Sequence, residues 1–200
     1  MSKTVSNTQD HRDDCDPTEA AIHIGMGMVH HDRREREKSI ESFAVADSFQ
    51  FRHVSREKAR EASAAYVDAL WEKDALEESC RGPDGLDRNA LKNADWQPVK
   101  RAFERRASAV GINSEYAELS TVAWRQHKVG GDYWTPFQKA QMYELRAALQ
   151  DPDYPHKPRD GQSGFGPEAV RYVLGVELHD MRRFEEGVEA MIPYFERIAQ

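Results

Sequence analysis

A chain of 200 residues, 39% hydrophobic and 32% charged, favours one domain with a modest core and a heavily solvated surface. Its net charge of −7 argues against a general binder of nucleic acid or acidic lipid, because neutralising phosphates takes basic surface. No stretch approaches about 18 consecutive apolar residues, so no membrane span is expected. Cys15 and Cys80 stand far apart in no metal-type spacing, which fits a reducing compartment better than a disulfide framework.

Residues 1–16 are polar and end in DDCD. They read as an acidic arm, disordered or ordered by a partner. The segment has neither a signal peptide's apolar run nor a transit peptide's arginine-rich character, so the expected localisation is intracellular, in the cytoplasm. Residues 17–200 read as a single helical domain. Asp16-Pro17-Thr18-Glu19 is a helix start, with Asp as cap and Pro at the first position. The following AAIHIGMGMVHH is ambiguous between helix and strand. Ile22, Ile24, Met26 and Met28 alternate with a strand's period, and Gly25 and Gly27 each cost a helix roughly 1 kcal/mol. The flanks read helical, so the expectation is a marginal helix with close neighbour contact at the glycines. Arg33 to Lys38 reads as a solvated charge run. Ser42 to Val54 has three phenylalanines but little cap signal, and reads as an irregular or partly helical connector pressed onto the core.

Ser55 caps the clearest long helix, which runs to about Cys80 with a stripe of Ala59, Ala62, Tyr66, Ala69, Leu70 and Leu76. Arg81-Gly82-Pro83-Asp84-Gly85 ends it. A short helical piece follows at Asp87 to Asn93. A helix from Asp95 turns Val99, Phe103 and Val110 inward and stops at Gly111. Ser114 opens the next, to about Lys128, and Thr135-Pro136-Phe137-Gln138 starts one that reaches about Gln150. Residues 151–167 form a Pro/Gly-rich surface loop, longer than a compact domain needs, with Tyr154 as its best exposed aromatic.

Glu168 to Ile198 reads as two amphipathic helices joined by the basic turn Arg182-Arg183, with Phe184 starting the return. Tyr172, Leu174, Gly175 and Leu178, then Phe184, Glu186, Gly187 and Met191, resemble one tetratricopeptide-repeat hairpin. The resemblance implies helices packed closely at the glycines and a face that binds another protein. Pro193 falls inside the second helix, where it removes the bond to the Glu189 carbonyl.

No motif calls for a cofactor, and no catalytic set is identified. Glu19 and His23, and His31 and Glu35, stand four residues apart, as paired metal ligands do on a helix. His23, His30, His31 and Glu35 are therefore the metal candidates. HExxH and paired-cysteine spacings are absent. Ala107-x-x-x-Gly111-Ile112, preceded by Lys100, Arg101, Arg105 and Arg106, resembles the centre of a helix-turn-helix within residues 99–128. Glu115 and Glu118 would then face the DNA backbone.

These readings converge on an all-α chain of six or seven helices in antiparallel hairpins. The leading function is a non-catalytic interaction or assembly protein, a subunit or adaptor of a larger complex, with oligomerisation possible. Tyr154, Trp134, Arg182, Arg183 and Phe184 are its expected partner-binding residues. A helical metal-dependent enzyme and a helix-turn-helix regulator are the alternatives, although nucleic acid is a disfavoured partner.

Overall fold

The computed structural model describes residues 17–151 and 184–198. The acidic arm, nearly all of the 151–167 loop and the first helix of the repeat-like hairpin lie outside them, as do Tyr154, Arg182 and Arg183. The fold is all-α. Among the described residues there are eight helices: α1 (Pro17–Asp32), α2 (Arg36–Gln50), α3 (Arg56–Ser79), α4 (Arg88–Asn93), α5 (Gln97–Val110), α6 (Glu115–Val129), α7 (Trp134–Ala148) and α8 (Phe184–Ile198). Two strands of two residues each, β1 (Arg81–Gly82) and β2 (Gly85–Leu86), pair antiparallel after α3.

Neighbours in sequence are neighbours in space, as short connections require. α1 packs on α2, α2 on α3, α5 on α6 and α6 on α7, while the broadest contact joins α3 to α5. That contact is close because α3 presents Ala59, Ala62, Ala65 and Ala69, all buried. Against them α5 sets Val99, Phe103 and Val110, and Phe51, Leu91 and Trp96 close the core. Further along, α8 rests on α7: Ala190 packs at Met142, and Arg146 Nη2 lies 2.7 Å from Glu186 Oε2.

Helix ends follow the cap signals, with shifts of a residue or two. The Ser55 hydroxyl accepts the Lys58 amide at 3.2 Å, and Asp87 Oδ1 accepts the amides of Asn89 and Ala90. Gly111 takes φ +75° after α5, which suits a residue without a Cβ. For α6 the cap is Asn113, whose Oδ1 accepts the Glu115 amide, rather than Ser114. For α7 it is Asp132, which accepts from Trp134 and Thr135, so the helix starts one residue before Thr135.

Two N-terminal expectations are sharpened. Residues 42–54, expected as an irregular or partly helical connector on the core, are helical to Gln50, and residues 33–38, mostly exposed as a solvated charge run is, include the first turn of α2 (Arg36–Gln50). Its inward face carries Ser39, Ser42 and Asp47 among Ile40, Phe43, Ala46 and Phe49, so polar residues interrupt the apolar stripe that would mark a helix. Glu35, its N-cap, makes no side-chain cap bond, which removes the usual start signal. The ambiguous segment is helical throughout as part of α1. Gly27 lies so close to Phe43 that a Cβ there would come 2.8 Å from the ring, and the Ser39 hydroxyl donates to the Gly27 carbonyl at 2.8 Å. Gly25 meets nothing and faces outward.

Candidate functional site

Four polar side chains reach the middle of the bundle because they stand at inward helical positions. Arg106 continues the Val99, Phe103, Val110 face of α5. Asp47 lies seven residues after Ile40 on α2, and Glu144 lies four after Ala140 on α7. Tyr116 is buried in the first turn of α6.

Arg106 and Asp47 form a two-pronged pair, Nη1 to Oδ2 at 2.7 Å and Nη2 to Oδ1 at 2.9 Å. Arg106 also donates to Glu144 Oε1, from Nε at 3.3 Å and Nη2 at 3.2 Å, and Nη1 approaches the Ala62 carbonyl at 3.5 Å. The Tyr116 hydroxyl donates to the same Glu144 oxygen at 2.9 Å. The Ser63 hydroxyl donates to Asp47 Oδ2 at 2.6 Å. Rings of Tyr66 and Phe51 lie 5.2 and 5.8 Å from the guanidinium carbon. The cluster therefore ties α2, α3, α5, α6 and α7 to one another.

Its electrostatics follow from burial. Burial alone disfavours charge on Arg106, but Asp47, Tyr116 and Glu144 outweigh it, and its pKa rises well above that of a free guanidinium. Burial, reinforced by the Glu144 charge, also pushes the Tyr116 phenol well up. Burial pushes the Tyr66 phenol up to about 12 despite the pull of Arg106. Both tyrosines thus stay neutral at physiological pH, and Tyr116 remains a donor to Glu144.

Arg106, Asp47, Tyr116 and Glu144 line a partly open cavity of about 280 Å³ set among α1, α2, α3, α5, α6 and α7. Aromatic rings make much of its wall. Phe103 and Trp124 meet edge-on with centroids 4.8 Å apart, and Phe43 and Tyr66 at 5.0 Å. Apolar walls with a few convergent polar groups are the ordinary composition of a small-molecule site. No protein-family model matches the chain, and no curated protein or solved structure matches it either. The chemistry of the site therefore rests on its own residues.

The histidines singled out in the sequence do not meet. α1 ends at Asp32, so the helical spacing of His31 and Glu35 is broken. His30 Nδ1 instead donates to Glu35 Oε2 at 2.6 Å, and Lys38 holds the other oxygen at 2.8 Å. The Lys38 and His30 hydrogen bonds lower the Glu35 pKa to about 2. His31 is buried and points to α3, where Nε2 donates to Asp74 Oδ2 at 3.0 Å. His23 is half-buried, with Nδ1 unpartnered. Among the described residues, no three His, Cys, Asp or Glu side chains converge as metal ligands would.

The basic residues before Gly111 are dispersed. Arg106 is in the core, Arg105 pairs with Asp68 at 2.9 Å, and Lys100 pairs with Glu118 at 2.7 Å. Trp134 is exposed at the start of α7, with its ring beside Tyr133 and Phe137. Phe184 opens α8. The sequence reading missed Asp47, Arg106, Tyr116 and Glu144 as a group. The signal was there: an arginine, an aspartate and a glutamate each at an apolar register position.

Proposed function

We propose that the protein is a non-catalytic interaction or assembly subunit that packs α1 against another polypeptide. One observation carries this reading. α1 buries Ala20, Gly27 and His31 toward the bundle, yet its opposite face is also apolar. Ile22, Met26 and Val29, four and three residues apart, form an outward ridge, and Ile24 and Met28 flank it, all five exposed. In a chain with 32% charged residues, a helix with an exposed apolar ridge opposite its buried face belongs under a cover. The matching surface on the partner is an apolar helix face or groove with little charge. In this reading the protein works in a reducing, intracellular compartment, where Cys80 stays a free thiol. Among the described residues no helix is long and apolar enough to cross a membrane.

The test is a photo-crosslinking side chain placed at Met26 in the full chain, with Glu72 on α3 as the control position. The expected result is a discrete adduct, heavier than the 22.9 kDa chain by one polypeptide, formed from Met26 and not from Glu72. Chains that yield no adduct at Met26, and that weigh as lone monomers in native mass measurement, sink the reading.

A further inference from the structure

Glu144 holds more charge than its neighbours neutralise. Asp47 and Glu144 bring two carboxylates to the cluster and Arg106 one guanidinium, leaving one negative charge in excess. Asp47 is matched by the two-pronged pair and by Ser63. Glu144 takes its bonds from Arg106 and Tyr116 on Oε1 alone; Oε2 has no part in them. Its side chain stays 22% exposed, against 7% for Arg106 and Asp47.

The same geometry turns away anions. A guanidinium has five N–H donors. On Arg106, Nε faces Glu144, Nη1 faces Asp47 and the Ala62 carbonyl, and Nη2 faces Asp47 and Glu144. An incoming carboxylate or phosphate finds no donor to spare on this arginine and meets the surplus negative charge. A cation meets the opposite situation. The rings of Tyr66 and Trp124 already carry cations, Arg106 at 5.2 Å and Lys73 at 5.7 Å, and those of Phe43, Phe103 and Phe137 also line the cavity, where ring quadrupoles attract positive charge at close range. At about 280 Å³, the cavity falls just below the span of drug-sized ligand sites, about 300 to 1,000 Å³. That size suits one small molecule and not a nucleotide cofactor.

We propose that this cavity binds a single small organic cation, an ammonium with an apolar body, its charge set against Glu144 and its body among the aromatic rings. The site shares only Ile24 with the outer face of α1.

The experiment is isothermal titration of the full chain with three probes of similar shape: 2-phenylethylammonium, neutral 2-phenylethanol and anionic 3-phenylpropionate. The expected order is saturable binding of the cation, at least tenfold weaker binding of the alcohol, and no measurable binding of the acid. Glu144→Gln should weaken the cation at least tenfold and leave the alcohol nearly unchanged. Gln141→Trp, which plugs the rim from an exposed position, should abolish both. Equal affinity for cation and alcohol overturns the proposal. So do an unchanged Glu144→Gln variant and a folded wild-type chain that binds no cation at millimolar concentration. If Glu144→Gln loses its helical circular dichroism, Gln141→Trp decides alone: retained cation binding there overturns the site.

Discussion

Removing one member of a buried ion pair costs more than the pair ever contributes, because the survivor keeps its charge without a partner. Arg106 is the case in point, with its side chain and that of Asp47 both 7% exposed. Arg106→Met should therefore destabilise the fold by about 3–5 kcal/mol, read from urea denaturation. Asp47→Leu should cost less, because Arg106 keeps Glu144 as its partner. The double variant should cost clearly less than the sum, because Asp47 is then no longer left without its guanidinium. Strictly additive costs, or an Arg106→Met penalty under about 1 kcal/mol, would show that water already reaches the pair. Register makes this cluster legible in principle: Arg106 sits where Val99, Phe103 and Val110 point. A reading that sums basic residues along the chain assigns Arg106 to a surface run with Arg105, and so loses it. Asp47 and Glu144 could not be paired with it from sequence, since they stand 59 and 38 residues away.

At the scale of the element, α1 and α2 illustrate what the sequence shows and what it hides. α3, α5, α6 and α7 announce themselves by start or stop signals and by inward faces that are mostly apolar. α2 does not, because Ser39, Ser42 and Asp47 take core positions that would otherwise complete its stripe. In α1 the apolar residues surround the helix, and period alone could not separate helix from strand. The two glycines there are physically unlike, and a paired substitution shows it. Gly25→Ala meets open space and should stabilise the fold by up to about 1 kcal/mol through helix propensity. Gly27→Ala drives a methyl into the Phe43 ring and should cost about 1–3 kcal/mol as α1 lifts from α2. Equal shifts in the urea midpoint would refute this packing. The corner between the helices has its own pH signature. The folded pKa of Glu35, about 2, lies below its ordinary 4.5. Its contribution is then full above pH 4.5 and fades as pH falls toward 2. The difference in urea midpoint between wild type and Glu35→Gln should close over that window. A difference that stays constant would mean that the contacts of Glu35 with His30 and Lys38 do not form in solution.

Across the whole molecule, the bundle has a strongly tied body and a weakly tied edge. The Arg106 cluster joins five helices, so α3, α5 and their neighbours should open only in global unfolding. α1 is attached chiefly through α2. Elsewhere it borders hollows, Ile24 on the main cavity and Met28 on a smaller one beside Leu70 and Trp124. Among the described residues its buried polar ties are the Ser39 hydroxyl on the Gly27 carbonyl and His31 on Asp74, with Arg34 on the same Asp74 oxygen at 3.2 Å. An all-α bundle was legible from caps and spacing, but this unequal anchoring was not, because it depends on which helices fail to touch. Hydrogen exchange reports it directly. Asp74→Ala strands the buried His31 Nε2, a loss of about 1–3 kcal/mol that should fall chiefly on α1, since the other partners of Asp74, Arg34 and Lys73, are less buried than His31. Amides in residues 20–32 should then exchange about tenfold faster or more, since about 1.4 kcal/mol is a factor of ten. Amides in residues 99–110 should slow or quicken little. Equal acceleration in both segments would mean that α1 leaves only when the body unfolds. An edge helix that opens by itself is what a partner would hold down, so the same measurement, repeated with α1 covered, should show residues 20–32 protected and the body unchanged.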